Sequence, residues 1–327
     1  MSRDLVLGLD GGGTKTVVAL VARDGTLAAL RQGPGLDPYG NADWRRDLGD
    51  MVAGVGTGQG GLERAALGLS CHTETADISA AQTDCAKELF AVPVDVLNDV
   101  HVAFEGALAG QAGVLALAGT GSMTWAGDGQ GLHRRCGGWG DIVGDEGSAY
   151  WLGREALTET TRVLDGRSPT TRFAEGLLAG IGIGGGDLLA WTFGLRQRRT
   201  GIAALARIVD RLAEAGDPTA IQLLKRAADH LVEQVETAWR LVGSPGPLVW
   251  SYAGGLFASG EFRRHLAERL GPARAPELPP VGGAVLEAAR RAGWSTDRAW
   301  RARLAESLAH GIRSGGTPDL SRQGWTA

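Results

Sequence analysis

The stretch Leu5-Val6-Leu7-Gly8-Leu9-Asp10-Gly11-Gly12-Gly13-Thr14-Lys15-Thr16 decides how this chain folds. An apolar run leads into Asp10, three glycines follow, and a second apolar run begins after Thr16 and ends at Ala22. Apolar runs bounded by glycine-rich turns are typical of strands, so this order predicts a strand, a tight turn and a second strand. The carboxylate of Asp10 is then expected at the end of the first strand.

The predicted turn carries chemical groups that suit a metal–polyphosphate complex. Glycine allows backbone N–H groups to approach an oxyanion closely. Thr14 and Lys15 add a hydroxyl and a cation, and Asp10 can hold a metal ion through water. The stretch is not a Walker loop, because its lysine does not follow a glycine directly and the next element reads as a strand. On these residues alone, a plain glycine-rich hairpin remains the alternative.

Composition narrows the class of protein. The 327 residues suffice for roughly two domains, and the net charge of −4 provides no field that would attract nucleic acid or an anionic membrane. The cysteines Cys71, Cys85 and Cys136 lack Cys-x-x-Cys spacing, which argues against a disulfide framework or a zinc site. We expect no signal peptide, because Asp4 and Asp10 bracket an apolar run that is too short for one, and no apolar run reaches bilayer length. We therefore expect a cytoplasmic protein that partners neither nucleic acid nor a membrane.

The pattern of strand, Gly/Thr turn and strand occurs twice, at 5–22 and at 114–126. This repeat predicts two related lobes whose phosphate-contacting turns face one another. We expect an N-terminal lobe over 1–112 and a C-terminal lobe over 113–295 that includes a helical insertion. The tail, 296–327, is expected to hold one helix near 297–312 and then to fray.

Three further places carry candidate chemistry. Asp99 follows Asn98 after a predicted strand, where a carboxylate serves either as a catalytic group or as a helix N-cap. The turn 119–122 is rich in glycine and hydroxyl groups, although a plain hairpin has the same composition. The stretches 136–140 and 144–151 interleave glycine with tryptophan and acids, a mixture that is hard to explain as core.

Six motifs, taken in chain order, resemble the BadF/BadG/BcrA/BcrD-type ATPase family, and within it the N-acetylglucosamine kinase branch. They are LDGGGTKT, LND, ALAGTGS, CGGWG, GDEGSAYW and YAGG. GDEGSAYW after CGGWG is the most family-specific part, and the resemblance runs from residue 5 to about residue 292. It implies an α/β protein with the two-lobed actin-like ATPase and sugar kinase (ribonuclease H-like) fold. That fold has mixed sheets flanked by helices and a cleft between its lobes.

The resemblance also implies roles for particular residues. It implies that Asp10 holds a hydrated Mg²⁺ ion and that Asp99 is the catalytic base. The residues implied to contact ATP form two phosphate loops and a turn beside the adenosine: Gly12, Gly13, Thr14 and Lys15; Gly119, Thr120 and Gly121; Gly254 and Gly255.

Contacts with the amino sugar are implied for Cys136, Gly138 and Asp145, and for Asp99 itself. The chain departs from the family at one position. The family usually has an asparagine in the loop after the third strand, and the nearest match here is Asp37. A carboxylate at that position would tolerate or favour an ammonium group on the second carbon of the sugar.

The expected activity is ATP- and Mg²⁺-dependent phosphorylation of N-acetylglucosamine or glucosamine to the 6-phosphate. One alternative is the activator ATPase of a radical acyl-CoA dehydratase or reductase, but it needs thiolates placed for a [4Fe–4S] cluster. Another is a non-catalytic sugar-sensing regulator, such as a repressor with a DNA-binding module before the first strand. Analogy with relatives leaves a homodimer open.

Overall fold

The structure, a computed structural model, describes residues 4–56, 61–169 and 171–314. The strands are β1 (Leu5–Gly11), β2 (Lys15–Ala22), β3 (Leu27–Pro34), β4 (Leu62–Leu69), β5 (Val94–Asn98), β6 (Gly113–Ala118), β7 (Ser122–Gly127), β8 (His133–Gly137) and β9 (Trp250–Ala253). The helices are α1 (Trp44–Ala53), α2 (Ala76–Leu89), α3 (Asp99–Leu108), α4 (Ala149–Leu164), α5 (Arg172–Ile181), α6 (Leu188–Gly194), α7 (Arg198–Ala203), α8 (Ala206–Glu214), α9 (Pro218–Leu241), α10 (Gly260–Leu270), α11 (Pro280–Arg291) and α12 (Arg298–Arg313).

The described residues divide into two compact units. The chain up to Gly110 and again from Pro276 forms the first unit, and Gln111–Ala275 forms the second. This differs from the expected boundaries, because α11 was expected in the C-terminal lobe and instead packs on the sheet of the first unit. The helix expected near 297–312 is present as α12 and belongs to the first unit as well. The expected fraying concerns residues beyond 314, which lie outside the described residues.

The first unit is built on a five-stranded mixed sheet in the order β3-β2-β1-β4-β5. β1 pairs antiparallel with β2, and β2 with β3, whereas β1 and β5 both run parallel to β4. β1 is buried on both faces, since alternate residues of a strand point to opposite faces. Leu7 and Leu9 contribute to one core with α1, and Val6 contributes to a second core with α11 and α12.

Gly8 explains how α11 approaches the first sheet so closely. A Cβ atom on Gly8 would lie 2.4 Å from the backbone nitrogen of Val285 on α11. No side chain fits there, so the glycine lets the helix backbone rest on the strand backbone.

The second unit has a four-stranded sheet in the order β8-β7-β6-β9. β6 pairs antiparallel with β7, β7 with β8, and β6 runs parallel to β9. This repeats the order and directions of β3, β2, β1 and β4, so the predicted strand–turn–strand repeat is confirmed in both sheets. The helices α4–α9 form the expected helical insertion between β8 and β9.

No single helix among residues 4–56, 61–169 and 171–314 combines the length and apolarity needed to cross a membrane. Arg172–Ile181 and Gly185–Gly194, bent by 63°, meet that test only as a pair, by length and composition alone.

Candidate functional site

The turn between β1 and β2 is the first part of the candidate site. Within the part of the chain that the structure describes, the backbone nitrogens of Gly12, Gly13 and Thr14 donate to no acceptor. The carbonyl side of the turn is occupied, because Leu36 donates its N–H to the oxygen of Gly12 at 3.0 Å. Gly35 packs so closely that a Cβ atom there would lie 2.4 Å from the oxygen of Gly13. A turn held by its carbonyls, with its N–H groups unused, suits an anion.

Asp10 and Asp99 share one edge of the first sheet. Asp10 is the penultimate residue of β1, and Asp99 follows β5 as the first residue of α3. Because β1 and β5 both run parallel to β4, their carboxyl ends open at the same edge. The Oδ2 atom of Asp99 lies 3.7 Å from the position of a Cβ atom on Gly12, which sets Asp99 beside the first turn.

Burial perturbs both carboxyl groups. It raises the pKa of Asp10 to about 7, and the positive charge of Lys15 opposes that rise. It also raises the pKa of Asp99 to about 7, and the nearby charge of Asp10 contributes in the same direction. Two half-buried carboxylates that repel one another fit a cation, and carboxylate oxygens are ligands that Mg²⁺ prefers.

The N-cap of α3 is Asn98 rather than Asp99. The Oδ1 atom of Asn98 accepts a hydrogen bond from the N–H of Val100 at 2.9 Å, and its Nδ2 donates to the carbonyl of His72 at 2.8 Å. Asp99 occupies the first helical position, where its Oδ1 also accepts from Val100 at 2.9 Å. Asn98 caps the helix, so Asp99 is not its N-cap.

The loop after β4 has two residues in the left-handed region, Cys71 at φ 63° and Thr73 at φ 70°. Buried hydrogen bonds hold this conformation. The Nε2 atom of Gln82 donates to the carbonyl of Ser70, so its Oε1 accepts from Nδ1 of His72 at 3.0 Å. A costly backbone held in place by its surroundings is typical of functional loops.

This loop brings a thiol and the predicted Asp37 into the same region as Asp99. The Sγ atom of Cys71 donates to Oδ1 of Asp37 at 3.8 Å. The pKa of Cys71 is raised above its usual range by burial first, and then by the charges of Glu74, Asp37 and Asp99. Sequence reasoning missed Cys71 as a site residue, since an isolated cysteine in a turn carries no motif.

The loop that holds Asp37 also contains an asparagine, Asn41. Its amide nitrogen donates to the carbonyl of Gly35 at 2.8 Å and to Oδ2 of Asp47 on α1 at 2.9 Å. Asn41 therefore braces the loop against α1. Asp37 accepts from the N–H of Tyr39 and from Sγ of Cys71, and the charges of Asp37 and Asp99 both raise the pKa of that thiol.

The second turn, between β6 and β7, repeats the features of the first. The carbonyls of Gly119 and Thr120 accept hydrogen bonds from Ala149 and Tyr150, at 2.9 and 3.2 Å. For the N–H groups of Thr120 and Gly121, no acceptor lies among the described residues.

Gly254 packs against the strand that leads into this turn. Its φ is 103°, and a Cβ atom there would lie 2.3 Å from the oxygen of Ala118. Only glycine fits this approach, and Gly255 follows it at the surface. Gly254 therefore lies beside the second turn, and Gly255 is its neighbour in the chain, within the second unit.

Asp145 is engaged inside the second unit. It is buried, with φ 56°, and its Oδ1 accepts from the N–H of Ser122 at 3.3 Å. Its Oδ2 accepts from the guanidinium of Arg199 at 2.5 Å. Burial raises the pKa of Asp145, and the charge of Arg199 opposes that rise. Arg199 was not foreseen, since it lies 54 residues further along the chain.

Cys136 and Gly138 lie at the end of β8, in the same unit as Asp145. The carbonyl of Cys136 accepts from Oγ1 of Thr124 at 3.2 Å. Gly138 has φ 74°, and a Cβ atom there would lie 2.2 Å from Cε of Met123. The contacts of Cys136, Gly138 and Asp145 with a sugar stay predictions, as do the roles of Asp10, Asp37 and Asp99.

Comparison with known proteins fits this geometry. The sequence pattern of the BadF/BadG/BcrA/BcrD ATPase family matches residues 7–288. This chain belongs to that family. The match spans both turns, the Asp10–Asp99 pair and the residues after β9.

Two curated relatives of this chain are sugar kinases by name. This chain is 27% identical over 274 residues to the N-acetylmuramic acid/N-acetylglucosamine kinase of Clostridium acetobutylicum, and the match covers 80% of this chain and 90% of the relative. It is 25% identical over 269 residues to the N-acetyl-D-glucosamine kinase of Dictyostelium discoideum, covering 74% and 82%.

Solved structures support the fold. A Chromobacterium violaceum protein, described as an N-acetylglucosamine kinase by inference, matches with TM-score 0.71 and 28% identity over 88% of this chain and 99% of that one. A glucokinase of the ROK family from Streptomyces griseus, solved with glucose and AMPPNP, shares the fold at TM-score 0.56 and 18% identity, over 88% and 98%. The predicted α/β class, with the actin-like ATPase and sugar kinase fold, is confirmed.

Proposed function

We propose that this protein transfers the γ-phosphoryl group of ATP to the 6-hydroxyl of an amino sugar, with N-acetylglucosamine or glucosamine as the acceptor. The observation that carries the proposal is the pair of half-buried carboxylates, Asp10 and Asp99, beside a turn whose N–H groups have no acceptor among the described residues. The names of the curated relatives support the amino sugar as acceptor.

Asp99 is the proposed general base. A sugar hydroxyl must lose its proton as the phosphoryl group arrives, and a carboxylate within reach orients that hydroxyl and accepts the proton late. A pKa of about 7 suits this task, because a base works best when its pKa lies near the operating pH. Asn98 and the loop 71–73 fix the start of α3 and hence the position of the base.

Asp10 is the proposed magnesium residue, acting through bound water. Mg²⁺ would neutralise charge on the β- and γ-phosphates, which phosphoryl transfer requires more than covalent help. The N–H groups of the first turn, with Lys15 at its end, are proposed to bind phosphate oxygens of ATP. The N–H groups of Thr120 and Gly121 in the second turn are proposed to bind phosphate as well, with Gly254 and Gly255 beside the adenosine.

The charges around Asp99 favour one kind of amino sugar. Asp37 and Glu74 both act on Cys71, and Glu74 and Asp10 both raise the pKa of Asp99. A region of several carboxylates attracts an ammonium group and repels an additional carboxylate. We therefore propose that glucosamine is accepted, and that N-acetylmuramic acid, with its carboxylate, is a poor substrate.

An ATP-coupled screen tests the proposal. The acceptors are N-acetylglucosamine, glucosamine, N-acetylmannosamine, N-acetylmuramic acid and glucose, each compared by kcat/KM at pH 7.5. We expect amino-sugar-dependent release of ADP, with the lowest value for N-acetylmuramic acid. If no sugar stimulates ADP release, the proposed activity is wrong. If N-acetylmuramic acid is preferred, only the argument from charge is wrong.

A further inference from the structure

Two opposite charges meet directly behind the second turn. A Cβ atom on Gly121 would lie 2.8 Å from Oδ2 of Asp145 and 2.7 Å from a terminal guanidinium nitrogen of Arg199. The two side chains therefore crowd the Cα of Gly121, and the glycine is needed to make room for them. Gly121 also contributes one of the two N–H groups of the second turn for which no acceptor lies among the described residues.

Asp145 alone would oppose phosphate binding at this turn. Its carboxyl is buried, and its Oδ1 already accepts from the N–H of Ser122, which fixes it against the turn. At a separation of a few ångströms and in a partly desolvated place, a carboxylate repels a phosphate strongly. Asp141, whose Oδ1 lies 3.7 Å from Nε of Arg199, adds a second acid nearby.

We propose that Arg199 is a positioning residue for nucleotide binding, which neutralises Asp145 and so allows the second Gly/Thr turn to accept an anionic phosphate. This inference rests on the proposed function. Lys15 supplies a positive charge within the first turn, whereas the second turn has no lysine or arginine of its own between residues 118 and 127. α7 of the helical insertion delivers the missing charge from elsewhere in the second unit.

The geometry also explains why the residue is an arginine. A guanidinium can donate to Asp145 with one terminal nitrogen and still direct Nε toward Asp141, since its donors are fixed in a plane. A lysine would present one compact charge and could keep the pairing with Asp145 but not both directions. Arg199→Lys should therefore retain most of the nucleotide affinity, and Arg199→Gln should not.

The test separates phosphate from adenosine. Affinities for ADP and for adenosine are measured by calorimetry on the full chain. In Arg199→Gln we expect ADP binding to weaken roughly tenfold or more, on the scale of one charge-assisted interaction. Adenosine should change less than about twofold, because it carries no phosphate. Arg198→Gln is the matched control, because it removes the same charge from the neighbouring residue. Arg198 is exposed, and its guanidinium carbon lies 5.7 Å from the centre of the Phe193 ring.

A double-mutant cycle decides whether the effect passes through Asp145. In Asp145→Asn the carboxylate fixed against the turn is gone and only the more distant Asp141 remains, so adding Arg199→Gln should change ADP affinity less than about threefold. This arm remains informative even if Arg199→Gln alone folds poorly. The inference is overturned if ADP affinity survives Arg199→Gln, or if it falls as far in the Asp145→Asn background. A wild-type protein that binds no nucleotide would instead overturn the proposed function.

Discussion

As the proposed general base, Asp99 must be ionised, but its burial disfavours the ionised form. The pKa of a free aspartate is 3.8, and burial raises that of Asp99 to about 7. Below pH 3.8 the carboxyl is protonated in both the folded and the unfolded chain, so its burial adds no ionisation penalty. As the pH rises from about 4 to about 7, the unfolded chain releases the proton first and folding becomes less favourable. Above pH 7 the penalty is constant.

This penalty yields a prediction about stability. Asp99→Asn removes the ionisable group, so the variant should melt a few degrees above the wild type at pH 8. The difference should shrink at pH 5, where the folded wild type is already protonated at Asp99. Calorimetric melting curves at the two pH values provide the check. Equal differences at pH 5 and pH 8 would contradict the raised pKa.

Asp10 can be tested separately from Asp99. Asp10→Ala removes the carboxylate proposed to hold hydrated Mg²⁺, so the affinity for Mg-ADP should fall while the affinity for metal-free ADP is unchanged or higher. The reason is that the substitution also removes a negative charge near the phosphates. Titrations with and without Mg²⁺ make the comparison. Unchanged Mg-ADP affinity would show that Asp10 does not serve the metal.

At the scale of elements, β9 must approach the β6–β7 turn without a side chain. Gly254→Ala places a Cβ atom 2.3 Å from the oxygen of Ala118 at a φ of 103°, which is strained for any other residue. We expect a loss of about 2 kcal/mol or more in the free energy of unfolding. Gly255→Ala is the control, because nothing lies within 4 Å of its Cβ position. Denaturant unfolding of both variants should separate them, and equal losses would contradict this packing.

The start of α3 depends on two separate hydrogen bonds of Asn98. Asn98→Asp keeps the oxygen that accepts from Val100 but loses the donor to the carbonyl of His72. Asn98→Ala loses both and should cost about 1 kcal/mol of stability through the cap alone. If the tie to the loop positions Asp99, then Asn98→Asp should lower kcat while KM for ATP stays near the wild-type value. A kcat equal to that of the wild type would confine Asn98 to a capping role.

Elements with a regular apolar pattern could be predicted from the sequence, whereas those without one could not. β1 and β2 were expected within a residue or two, since their apolar residues follow the pattern of a buried strand. β8 was missed because His133–Gly137 reads HRRCG, with no apolar alternation. It forms because β7 offers a free edge to pair with.

The candidate site divides in the same way. Asp10 and Asp99 were predictable, because a carboxylate after an apolar strand lies at a sheet edge whatever the rest of the fold does. Cys71 and Arg199 were not, because their roles depend on contacts with Asp37 and Asp145 that only the folded chain creates. A sequence motif indicates the chemistry of neighbouring residues, but it does not predict contacts between side chains that are far apart in the sequence.

At the scale of the whole molecule, the chain returns to the first unit after completing the second. The residues of α11 were expected in the C-terminal lobe, since their closeness to β9 in the sequence gave no sign of their packing partner. The buried face of α11 includes Val281, Val285 and Leu286, which share a core with Val6 on β1. The first unit therefore requires residues from both ends of the chain.

This arrangement predicts how truncation acts. A chain that ends at Ala275 lacks α11 and α12. Its first unit should lose cooperative unfolding, because one apolar face of its sheet is exposed to solvent. A chain that ends at Thr296 keeps α11 and should retain a cooperative but lower transition. Thermal melting followed by circular dichroism distinguishes the two. Full stability in the shorter chain would contradict the described division into units.

The central claim is that Asp99 accepts the proton of the sugar hydroxyl, and the rate of phosphoryl transfer in Asp99→Asn tests it most directly. Single-turnover rates with Mg-ATP and N-acetylglucosamine or glucosamine are compared for the wild type, Asp99→Asn and Asp84→Asn, an exposed aspartate on α2. We predict a fall of about 100-fold or more in Asp99→Asn, with sugar and nucleotide still bound, and no change in Asp84→Asn. Wild-type turnover in Asp99→Asn would contradict the account.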